Sequence, residues 1–243
     1  MRYSNYFLTG RSCALVTALL LLVTCLSAQI TTQSWVDFIV NVPMRKGFTF
    51  DNEFSYKTNI SRTTKWRSYD ITPEIEKALG KHFDLTFYIG SSYTNQQAGY
   101  DTWELKPGLG IRYNITPDKR LLLRLLARFE VRNQYTYDSS VWDRNTRSRL
   151  RMEGIYCINK NSLTENRVWY IMTDAEVFWT IDKQVRERYS DRTRIRAGIG
   201  YKLNAHWRFE EIYTYQFSKN TISAHYGEDQ QQIFRLRVKY FTR

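Results

Sequence analysis

Arginine recurs along the chain at intervals of two and four: Arg124, Arg128 and Arg132; Arg147, Arg149 and Arg151; Arg192, Arg194 and Arg196; Arg235 and Arg237. In an extended chain, residues two apart project from the same side, so each group forms a line of guanidiniums. Such a line attracts anions or is neutralised by carboxylates. Carboxylates at the matching spacing are present: Glu53, Glu104, Glu130, Glu153, Asp174, Glu176 and Glu210. Two readings follow. Interleaved Arg and Glu pair across a closed interior and fill it, or surplus arginine lines a narrow water path that favours anions, as charged rings do in pores. The two coexist if the pairing leaves a path. Arg128, Arg149 and Arg194 sit at mid-segment and are the first candidates for selectivity.

Hydrolytic chemistry has fewer carriers. An esterase or deacylase needs a Ser or water activated by His, and the chain has only His82, His206 and His225. The first two fall in short turns. His225, in Ser223-Ala224-His225, lies in a long polar segment and is the candidate of the alternative reading, an outer-membrane lipid hydrolase. The expected answer is no enzyme. Three dispersed His with Cys13, Cys25 and Cys157 form no zinc or copper spacing, so no metal or cofactor is expected. Gly108-Leu109-Gly110 lacks the third Gly and following helix of a nucleotide loop. These glycines instead let a neighbouring side chain cross the strand or let the wall bend.

The elements that must carry the arginines are strands. From Ser34 onward apolar and polar residues alternate, and a helical period is nearly absent. In Leu121–Tyr137, Leu121, Leu123, Leu125, Ala127, Phe129 and Val131 share one face, with Arg124, Arg128, Glu130 and Arg132 on the other. Val36 and Phe38 oppose Asp37, Phe54 and Tyr56 oppose Glu53 and Lys57, and Ile71 and Ile75 oppose Asp70, Glu74 and Glu76. The same texture runs to Phe234, Leu236, Val238 and Tyr240. Strands this long exceed the five or six residues typical of a sandwich. An arginine face on a barrel has to point inward, because Arg at a lipid midplane costs about 2–4 kcal/mol.

The pattern yields eleven strands. Single-chain bacterial barrels close on even numbers, so twelve antiparallel strands are predicted, with ten as the alternative. The missing one is sought in Gln29–Gln33 or Ser218–Asp229. Short connections alternate with longer ones, except that Ile158–Asn166 is too long for its place. Aromatics at segment ends, Trp35, Tyr113, Trp169, Trp179, Trp207 and Tyr240 among them, fit interfacial girdles.

Composition agrees. The 243 residues carry a formal net charge of +12 and 16% aromatics, which excludes a disordered basic tail. No apolar run reaches a spanning helix. Arg2 and Arg11 precede the run Ala14–Ala28, which reads as a cleaved signal peptide covering 1–28, with 29–243 as one barrel domain. A lipoprotein signal ending at Cys25 is the rival. Export makes nucleic acid an improbable partner despite the charge.

With Gln33-Ser34-Trp35, Trp207-Arg208-Phe209-Glu210 and the closing Arg235-Leu236-Arg237-Val238-Lys239-Tyr240-Phe241 in view, the chain after residue 30 resembles the outer-membrane β-barrel family catalogued as domain of unknown function 2490. The resemblance implies fold and location but carries over no catalytic residue or substrate. Thr242-Arg243 depart from the usual terminal aromatic. The expectation is an all-β, antiparallel barrel in the cell outer membrane. Its role is a small passive channel, porin-like with an anion-favouring lumen, or a structural envelope protein. Expected partners are outer-membrane lipid including lipopolysaccharide, small anionic solutes, and the machinery that inserts barrels. A soluble exported β-sandwich is the remaining alternative.

Overall fold

Alternating sequences become strands when each face has its own environment, and here they produce one sheet rolled on itself. The computed structural model describes residues 31–60, 65–96, 101–117, 119–182, 192–219 and 228–242. The expected signal peptide and His225 lie outside them. In chain order the strands are β1 (Thr31–Pro43), β2 (Phe48–Asn59), β3 (Trp66–Leu79), β4 (Phe83–Gln96), β5 (Thr102–Asn114), β6 (Leu121–Thr136), β7 (Val141–Cys157), β8 (Val168–Thr180), β9 (Arg192–Lys202), β10 (Trp207–Lys219) and β11 (Glu228–Phe241). Each pairs antiparallel with its sequence neighbours, and β1 meets β11 to close the barrel. This closed wall replaces the two-sheet sandwich of the alternative reading.

The predicted twelve strands are corrected to eleven among the described residues. An odd meander begins and ends running in the same direction, so its closing seam has to be parallel. β1 and β11 pair in that way from Thr31↔Gln231 to Asn41↔Phe241. This also corrects the expectation that every pair is antiparallel. A parallel ladder is only slightly weaker per residue, so oddness carries little penalty. Thr31–Gln33, where an extra strand was sought, are the first residues of β1 itself.

One rim holds the connections 44–47, 80–82, 115–120, 158–167 and 203–206, and is called the turn rim below. At the opposite rim lie the other strand ends and the start of β1. The polar stretch 138–145, read as a long loop, is mostly strand. β7 begins at Val141, and the Tyr135↔Trp142 pair, with ring centroids 5.2 Å apart, extends the β6–β7 ladder almost to the turn. At this rim Asp101 accepts hydrogen bonds from the Gln96 N–H at 2.9 Å, the Tyr93 hydroxyl at 2.7 Å and Asn95 at 3.0 Å. These donors, the backbone N–H foremost, hold its carboxyl below the usual carboxylate range.

Candidate functional site

The barrel is polar inside and apolar outside. Leu109 is 60% exposed and Leu236 50%, and every strand from β1 to β11 presents such a residue. By contrast Asp37 is wholly buried, with Glu176 at 1% and Glu130 and Glu210 at 2%. Ionised groups withdrawn from water persist only when paired and hydrogen-bonded, and the pairing is found on the inward face.

Four carboxylates act as hubs. Asp37 pairs with Arg235, lies 3.4 Å from Arg237 and accepts from the Ser55 hydroxyl at 2.7 Å. Glu130 pairs with Arg147 and accepts from the Tyr88 hydroxyl at 2.6 Å. Glu176 gathers Arg196 at 3.0 Å, Arg149 at 3.7 Å and Arg194 at 3.8 Å. Glu210 takes Arg237 at 3.0 Å, Lys239 at 3.2 Å and the Tyr170 hydroxyl at 2.6 Å. Three further pairs join strands that are not neighbours: Arg128 on β6 with Glu74 on β3 at 2.7 Å, Arg112 on β5 with Glu76 on β3 at 2.6 Å, and Arg235 on β11 with Glu53 on β2 at 2.9 Å. Such contacts run over the inner face of the wall, across one or two intervening strands.

The remaining arginines and carboxylates singled out in the sequence take their places in this set. Arg124 lies 3.3 Å from Glu153, Arg132 pairs with Glu104, and Arg196 reaches Asp174 at 2.6 Å. Arg151 stands opposite Glu176 in the ladder, and Arg192 is half-buried opposite Phe178. Arg128 and Arg149 stand directly opposite each other on β6 and β7. Facing like charges are destabilising, and they separate because Arg128 leans to Glu74 and Arg149 to Glu176. Glu53 and Arg124, although inward and within their strands, keep 32% of their side-chain surface exposed. Water therefore still reaches both side chains.

Several inward residues escaped the sequence-based list. Asp37, Asp51, Asp70, Glu74, Glu76 and Asp84 share the charged face with Lys57, Arg112 and Lys239. Their signal was the same alternation, but the arginine lines drew the grouping. Trp35, read as a girdle aromatic, is also inward. It has the parity of Asp37, and Lys57 and Arg235 lie 4.6 and 5.3 Å from its ring centroid. Gly108 and Gly200 let a tyrosine cross the strand, as expected at the first of them. A Cβ at Gly108 would overlap the Tyr88 ring, and one at Gly200 the Tyr170 ring. Each tyrosine thereby reaches a glutamate two strands away, β4 to β6 and β8 to β10.

The overlong connection 158–167 has a role in this interior. Leu163 is buried in a cluster with Leu122, Ile155, Cys157, Tyr170, Met172 and Ile212, so the segment folds back into the turn rim. Lys202 donates to the Leu163 and Thr164 carbonyls at 3.0 and 2.6 Å. Stranding those acceptors costs about 1–3 kcal/mol. Lys202→Met should therefore release the segment, seen as faster tryptic cleavage at Lys160 in the folded barrel; unchanged cleavage would show that the segment is held without Lys202. His82 and His206 sit on the turn rim, with Nδ1 2.7 and 2.8 Å from the Asn114 and Phe241 carbonyls. Among the described residues no group of three His, Cys, Asp or Glu is placed to hold a metal.

A family model described as "Protein of unknown function (DUF2490)" matches residues 32–226. No curated protein matches the chain.

Proposed function

The chain belongs to the DUF2490 family of proteins of unknown function, and we propose that it is an outer-membrane barrel serving as a small passive channel that favours anions. The observation that carries this reading is the inverted polarity: exposed apolar residues on all eleven strands, and charged groups withdrawn inside. An outward apolar band suits lipid, where only closed barrels and helices satisfy their backbones. Aromatic pairs toward both rims support it, Trp169–Tyr201 and Trp207–Tyr240 at one and Trp103–Trp142 at the other. On this reading residues 1–28 direct export, the partners are outer-membrane lipid with lipopolysaccharide and the barrel insertion machinery, and small anions pass the space beside Glu53 and Arg124.

The test is conductance of the purified protein in planar bilayers under a salt gradient, after heat-modifiable migration establishes folding. A stable conductance with an anion-favouring reversal potential is expected. Arg128→Glu, Arg149→Glu and Arg194→Glu together should turn the sign of that potential, because they replace cations of the inner face by carboxylates. An unchanged sign would remove these side chains from the passage. The buried hubs favour a second reading, a structural envelope barrel. A folded barrel that stays silent in the bilayer would select it over the channel.

A further inference from the structure

The outward face carries one charge that its surroundings do not explain. On β10 the odd-numbered residues turn outward, and Glu211 is exposed among them. It is flanked along the strand by Phe209 and Tyr213 and across the ladders by Ile199 on β9 and Leu236 on β11. Among the described residues Glu211 has no ion pair and no side-chain hydrogen bond. Carboxylates at the middle of other strands, such as Glu53, Glu130 and Glu176, turn inward to arginines. The described outward cations, Arg67 and Lys77 on β3 and Arg144 on β7, stand near strand ends and not at this depth.

The depth makes the position costly. Glu211 is four residues from Trp207, which pairs with Tyr240 toward the turn rim, and four from Tyr215, which packs on Phe217 toward the other. At about 3.3 Å per residue and a strand tilt of about 40° it lies roughly 10 Å from the level of Trp207, near the middle of an apolar band about 25 Å tall. Ionisable groups at that depth are expensive and are found against partners. Nothing described in this chain covers the carboxyl, so its partner comes from outside the chain.

Two copies inserted in one membrane share orientation and depth. A two-fold axis relating them therefore runs along the membrane normal, and a residue beside it meets its own counterpart. Few side chains complement themselves. A carboxyl does, because with its proton it donates through one oxygen while accepting through the other. Thr173 on β8 and Ala197 on β9, exposed and paired in the ladder, keep the wall beside Tyr213 free of large side chains, and small residues let facing walls approach closely in a membrane. We infer that the β8–β11 side is a dimer interface within the membrane, where a second copy of this chain sets its own Glu211 against Glu211, carboxyl to carboxyl. This rests on the outer-membrane reading and is independent of conduction.

Sedimentation of the folded protein in density-matched detergent micelles tests this, with the folding of every variant checked on unheated gels. A mass of two chains is expected. Glu211→Leu, which suits lipid and spares the fold, should raise the dissociation constant about tenfold, the scale of a polar contact between membrane segments. Glu211→Gln should stay paired, because an amide is also donor and acceptor. Glu211→Lys should separate the chains, whereas Leu109→Lys, on β5 and away from this side, should not. One chain at every protein concentration would overturn the inference and leave the membrane reading standing. A dissociation constant unmoved by Glu211→Leu and Glu211→Lys, or moved equally by Leu109→Lys, would place the contact elsewhere and overturn the assignment to this face. A folded protein that fails to insert into liposomes would overturn the outer-membrane reading itself, and the inference with it.

Discussion

Gly200→Ala should leave little folded barrel. The Tyr170 ring lies where the new Cβ must go, and the flanking β8 and β10 ladders hold the glycine backbone in place. The ring cannot simply tilt, because it is fully buried and its hydroxyl is the 2.6 Å donor to Glu210. Displacing it gives up a hydrogen bond to a charged group, about 1.5–3 kcal/mol, on top of overpacking of about 1–3 kcal/mol. The sum is a large fraction of an ordinary domain's stability. The measurement is the folded fraction on unheated gels and the urea midpoint after refolding into detergent. Gly154→Ala is the control, since its Cβ would meet nothing nearer than the Leu123 Cδ2 at 3.5 Å. Tyr170→Phe separates the two contributions by keeping the ring and losing only the hydroxyl. Natural stability in Gly200→Ala would show that the tyrosine has another place to go.

Glu176→Gln should be the most damaging single change of charge. Glu176 is 1% exposed and faces three guanidiniums, those of Arg196, Arg149 and Arg194. Among the described residues only Arg196 of the three has a second carboxylate at ion-pair distance, Asp174 at 2.6 Å. Removing one partner of a buried pair costs about 3–5 kcal/mol, because the other charge is left uncompensated. A lower urea midpoint is expected. Adding Arg149→Gln to Glu176→Gln should recover part of the loss, since it removes one of the stranded cations. A double variant no more stable than Glu176→Gln would show that Arg149 finds water in its place.

The strands were legible because alternation is local: Leu121–Val131 announces two faces without reference to any other segment. That the arginine face turns inward also followed locally, from what a guanidinium costs in lipid. The closure was not legible. The eleven strands could be counted, yet the rule of even number pointed to twelve, because pairing between β1 and β11 joins residues at opposite ends of the chain and leaves no local trace. The acidic side on β2 and β3 shows the same limit. Asp51, Glu53, Asp70, Glu74 and Glu76 were each visible opposite an apolar set, but their standing across from the arginines of β6 and β7 depends on the order of strands around the wall. Connection 158–167 stood out by length alone, and the reason for it, Leu163 entering the interior and Lys202 holding it there, lies in contacts between distant segments.

Sequence thus suffices for properties set within one strand: its two faces, their chemistry, and the crossing permitted at Gly108. Properties set between strands required the folded chain: the parallel seam, the hubs at Asp37, Glu130, Glu176 and Glu210, and the division of charge around the interior. The physical reason is range. Alternation acts over two residues, whereas an ion pair such as Arg128 with Glu74 or Arg235 with Asp37 exists only after the wall has rolled up and brought distant strands to face each other.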